Sequence, residues 1–133
     1  MENVDKMTEV EMVERFDAGT FPREMFHHEQ HVRMAYLYLQ RWPLLEALQR
    51  FSAALQRFAT AAGKPERYHE TVTWAFVFLI HERMEKDWET FQTRNKDLME
   101  WPDNYVMRLY GEGILKDENA RGKFVMPKMI SRF

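Results

Sequence analysis

Residues 67–86 read RYHETVTWAFVFLIHERMEK, and the fold turns on what this stretch forms. Its middle, residues 72–80, is apolar at nearly every position and rich in β-branched and aromatic side chains, which suits a buried strand as well as a buried helix. The charged flanks extend the segment to about 20 residues, far beyond the usual strand of about 5–6, so the expectation is a helix. A helix that is apolar on every face must be covered by others and therefore be central. The expected fold is thus all-α, a single-domain helical bundle of about five to six helices.

Working outward, residues before and after this stretch carry helical periods. Leu44, Leu48, Phe51, Leu55 and Phe58 follow the 4-3-4-3 spacing of a core stripe that Gly63-Lys64-Pro65 closes. Upstream, Pro22 is placed to open a helix after Thr20 as cap, and Pro43 ends that helix near Trp42. Val4, Met7, Val10, Val13 and Phe16 recur every three residues until Asp17-Ala18-Gly19, which predicts a short N-terminal helix within residues 1–19 that packs on the bundle. Downstream, Trp88, Phe91, Leu98 and Trp101 continue with helical spacing to Pro102. Asp103 or Asn104 is then placed to cap a last short helix through Tyr110 before the Gly111 and Gly113 turn. Residues 120–133 form a basic C-terminal tail. Arg121, Lys123, Lys128 and Arg132 face no acid there, whereas the first 17 residues hold six acids and two bases, so contact between the two ends is expected, within one chain or across a homodimer.

Composition narrows the function classes. At 133 residues with 45% hydrophobic and 30% charged residues, the chain is sized and balanced for one globular domain rather than for disorder. Nineteen bases against 21 acids give a formal charge of −2, which argues against nucleic acid as a partner. No apolar run reaches the length of a membrane span, and no signal-peptide pattern opens the chain. The absence of cysteine excludes disulfides, thiolate metal sites and cysteine nucleophiles, and a cytoplasmic location is expected. Glycine-rich phosphate loops, Gly-x-Ser-x-Gly elbows and EF-hand loops are likewise missing.

The chemistry-bearing residues fall in two places, FHHEQH at residues 26–31 and RYHET at residues 67–71. His28, Val32, Ala35, Leu39 and Trp42 share one helical stripe, so His28 and His31, three apart, project to the buried side. His69 shares a line with Thr73, Phe76 and Ile80 on the central helix. Three converging imidazoles suggest a divalent metal, iron, manganese or zinc, with His28, His31 and His69 as ligands and Glu70 as a further carboxylate ligand. In that reading Glu70 and Tyr68 move protons in metal-assisted hydrolysis or oxygen chemistry on a small molecule, while Thr73, Trp74 and Arg121 hold the substrate or cofactor. The competing expectation is a non-enzymatic helical binding or dimerisation module, or a small-ligand sensor with an aromatic-walled pocket, whose histidines are structural. His27 and His81 read as surface or helix-end residues, and Met7, Met84 and Met99 as core filling.

The polar residues also stand in a recognisable order: Phe26, His28, His31 and Ala35, then Tyr68-His69-Glu70-Thr71-Val72-Thr73, Asn95-Lys96-Asp97-Leu98, and Ala120-Arg121-Gly122-Lys123-Phe124-Val125-Met126-Pro127. Over residues 17–133 this resembles a family of small bacterial helical proteins that carries no assigned activity. The resemblance implies that His28, His31 and His69 belong to a signature and that His27 and His81 do not. Lys128 departs from it, since an acid tends to follow the proline in that family. Arg121 is expected either to anchor an anionic ligand or to cap the last helix.

Overall fold

A computed structural model describes residues 6–128. Among them the architecture is all-α, with eight helices: α1 Glu9–Ala18, α2 His28–Arg41, α3 Leu44–Ala61, α4 Glu70–Glu82, α5 Trp88–Arg94, α6 Lys96–Met99, α7 Tyr105–Tyr110 and α8 Glu118–Gly122. Helices α2, α3 and α4 pack pairwise into a central triangle, α1 lies on α2 and α3, and α7 and α8 lie on α4.

The decisive stretch is helical and central, but shorter than expected. Val72, Ala75, Phe76, Val77 and Ile80 of α4 are buried, and Trp74, Phe78 and Leu79 pack on the core from the remaining sides. His69 is the N-cap of α4 rather than an interior position. Helix α3 follows its apolar stripe to Ala61, and Gly63 just beyond it turns the chain with a φ of 75° that suits a residue without Cβ.

Three expectations are corrected. Helix α2 starts at His28, not near Pro22. Phe21 and Phe26 both insert into the aromatic cluster around Phe16, and the Arg15 guanidinium bonds the Thr20 carbonyl, so residues 19–27 follow a path set by packing and not by helix propensity. In α1 the buried face is Met12, Val13 and Phe16, while Val10 is 60% exposed; Thr8 caps the helix, and Val4 lies outside the described residues. Residues 88–101 break at Asn95, whose amide donates to Phe91 O and whose Oδ1 accepts from Arg83, so one expected helix becomes α5 and α6. The break at Asn95 and the short α8 bring the number to eight, of which five are seven residues or longer, in keeping with the bundle expected.

Phe16 anchors the core beneath α1. Its ring stacks on Phe26 at 4.8 Å and Phe51 at 6.0 Å and meets the edge of Tyr38 at 6.3 Å. Tyr36 and Tyr38 are fully buried, yet each hydroxyl has an acceptor, Glu85 O at 2.8 Å and Asp17 Oδ1 at 3.1 Å, which removes the cost of burying them. Among the described residues, α1 packs on α2 and α3 and α8 on α4, while residues 1–5 of the acidic end and 129–133 of the basic end lie outside them. Arg132 lies outside the described residues. No helix among the described residues is long and apolar enough to cross a membrane.

Candidate functional site

The first turns of α2 and α4 and the C-terminal half of α3 meet at one end of the triangle without filling it. A cavity of about 880 Å³ remains, within the size range of ordinary ligand pockets, about 300–1,000 Å³. Phe26, Val32, Phe51, Leu55, Val72 and Phe76 supply its apolar wall. His28, His31, His69, Tyr68, Thr73 and Arg121 line it as well, so the residues singled out by spacing do converge. Two do not reach it. Trp74 faces the C-terminal segment and stacks on Phe124 at 5.6 Å, and Glu70 turns away to accept the Tyr68 hydroxyl.

The imidazoles differ in what they can still do. His69 is saturated: Nδ1 accepts the Val72 N–H at 3.2 Å, and Nε2 donates to Ile114 O at 2.8 Å. A carbonyl only accepts, so the proton sits on Nε2 and neither nitrogen offers a lone pair to a metal. His28 donates Nε2–H to Leu98 O at 2.8 Å, which leaves Nδ1 as its one lone pair. Its ring lies 5.2 Å from Phe76 and 5.1 Å from Trp101. His31 makes no side-chain hydrogen bond among the described residues; it stacks on Phe26 with centroids 4.1 Å apart. Burial, with His28 and His27 adding repulsion, pushes the His31 imidazolium down to about 3. Burial likewise lowers His28 and His69, with the bonds to Leu98 O and Ile114 O opposing it, so all three rings are neutral at physiological pH. Among the described residues no group of three His, Asp or Glu side chains is placed to hold one metal ion.

Tyr68 lines the cavity, but burial and its bond to Glu70 push its hydroxyl up to about 12, so it stays protonated. Arg121 acts as a clamp. It reaches Glu66 O and Leu115 O and pairs with Glu118 at 3.4 Å, so its guanidinium joins the turn before α4 to the segment before α8. Neither carbonyl belongs to the end of α8, so these bonds are a third role beside the two expected, anchoring an anionic ligand or capping the last helix.

Much of the ordered polar pattern is explained by bonds of this kind. The Thr71 hydroxyl donates to Lys123 O at 2.8 Å and accepts from Val125 N at 3.0 Å, while Asp97 holds Arg83 with both oxygens at 2.9 Å. The clearest omission from the sequence reading is the mouth. Arg23, Lys64 and Arg67, all exposed, line it, with Glu66 as its one carboxylate. Their positions in the turns before α2 and α4 follow no spacing rule that would have joined them. No family model, curated protein or solved structure matches the chain.

Proposed function

We propose that this protein binds a small, largely apolar molecule in the cavity between α2, α3 and α4. One observation carries the reading: a space of about 880 Å³ walled by Phe, Leu and Val side chains, with three neutral imidazoles among its polar groups. Apolar walls supply affinity, and a few placed polar groups supply orientation. His28 Nδ1 and His31 offer weak, uncharged hydrogen-bonding positions, and Thr73 adds a hydroxyl.

The test uses phenylnaphthylamine, a neutral dye that fluoresces in apolar surroundings. Micromolar one-to-one binding is expected. In Ala59→Trp an indole at the half-buried end of α3 would occupy the cavity and abolish the signal, with circular dichroism as the control on folding. No binding by the wild type, or binding unchanged in the folded variant, would overturn the proposal. A divalent iron, manganese or zinc centre would require His69 to give up its cap bond to Val72 N–H and turn the Nδ1 lone pair to the metal, while Nε2–H keeps its bond to Ile114 O. Metal content of the purified protein, compared with His69→Ala, separates that reading from this one.

A further inference from the structure

Three cations stand around the mouth of the cavity, with Glu66 as the one carboxylate beside them. Arg50, Arg57, Arg83, Arg94, Arg108 and Arg121 are each paired with a carboxylate. The side chains of Arg23, Lys64 and Arg67 have no hydrogen-bonding or ionic partner among the described residues, although the chain as a whole carries more acids than bases. Unpaired cations scattered over a surface mean little; three on the rim of one apolar cavity act on whatever enters it.

The backbone adds to the same field. Helices α2 and α4, of 14 and 13 residues, both begin at the cavity, and the positive ends of their dipoles meet there. His27, the N-cap of α2, makes no side-chain cap bond. Inside, no carboxylate lines the wall. Glu66 on the rim is exposed, and Glu70 is turned toward Tyr68.

Resting on the small-molecule reading above, we infer that the ligand is an amphipathic anion, its apolar body against Phe26, Phe51, Leu55 and Phe76 and its acidic head group, a carboxylate in the simplest case, at Arg23, Lys64 and Arg67. The two arginines present planar forks that match an oxyanion, and Lys64 adds a point charge. Because the head remains near solvent, attraction is moderate and weakens with salt. A neutral ligand gains nothing from the rim, and a cationic one is repelled by it.

Octanoate, octanol and octylammonium share an apolar body and differ in head charge, so their displacement of phenylnaphthylamine reads the inference directly. Octanoate is expected to bind roughly tenfold tighter than octanol at low salt, as two exposed charge contacts would supply, and octylammonium weakest. In the triple variant Arg23→Gln, Lys64→Gln, Arg67→Gln, whose altered side chains are exposed and outside the core, octanoate should fall to the level of octanol measured in the same variant. Equal binding of octanoate and octanol to the wild type, or an octanoate preference that survives in the triple variant, would overturn the anion inference and leave the cavity reading standing. Failure of all three to displace a dye that Ala59→Trp also does not exclude would overturn both.

Discussion

His69→Ala tests the structural role of the buried histidine most sharply. The substitution removes the acceptor of the Val72 N–H at the start of α4, a cap worth about 1 kcal/mol and at most about 2. It also removes the donor to Ile114 O, a further 1 kcal/mol or so; that carbonyl keeps the Asp117 N–H as a second partner at 3.2 Å, which limits the loss. The expected destabilisation is therefore about 2–3 kcal/mol, a sizeable share of the roughly 5–15 kcal/mol typical of a domain. His69→Asn should recover about 1 kcal/mol, because a short amide caps well but cannot span the distance to Ile114. Urea unfolding at pH 7.5 followed by circular dichroism measures both variants. A change below about 0.5 kcal/mol in His69→Ala, or an asparagine variant no more stable than the alanine one, would refute the reasoning. Chelator should leave the wild-type curve in place, whereas a metal held by His69 would make chelation mimic the mutation.

Two further outcomes follow from the same contacts. His31, pushed down to about 3 in the folded chain by burial, protonates near 6.5 when unfolded, so the stability it contributes is complete above pH 6.5 and is lost as pH falls from there toward 3. The slope is at most about 1.4 kcal/mol per pH unit; His28 and His69, also lowered by burial, act in the same direction. Urea midpoints measured from pH 7 to pH 5 should drop less steeply in His31→Phe, and a parallel drop would contradict the neutral ring. Thr71→Val keeps the shape but leaves Lys123 O and Val125 N without the hydroxyl, costing about 1–3 kcal/mol. Hydrogen exchange at Val125 should accelerate in that variant; unchanged protection would mean that the Tyr110 hydroxyl, which donates to Val125 O at 2.7 Å, holds the segment alone.

The sequence disclosed the parts of this molecule that repeat at short range. Helix α4 is legible because no face of residues 72–80 could be left in water, and α3 because its stripe and closing glycine agree. The convergence of His28, His31 and His69 is legible for the same reason, since spacing put two of them on the buried side of one helix and the third near the start of another. What each imidazole is free to bind was not legible. The carbonyls that engage His69 and His28 lie 45 and 70 residues away, and no local pattern announces them. Histidine is also a rare N-cap, so α4 read as starting earlier than it does. The cationic mouth escaped notice because Arg23 sits in one turn and Lys64 and Arg67 in another, and only the packing of α2 beside α4 brings them around one opening.

The most direct test of the account is a heteronuclear NMR titration of the wild-type protein with octanoate. Saturating amide shifts should appear in the first turn of α2, the last turn of α3 and the first turn of α4, at His28 and His31, Phe58 and Ala62, and Val72 and Thr73. Absence of saturable shifts, or shifts centred on the opposite face around Asp17, Glu46 and Arg50, would contradict a ligand cavity between these helices.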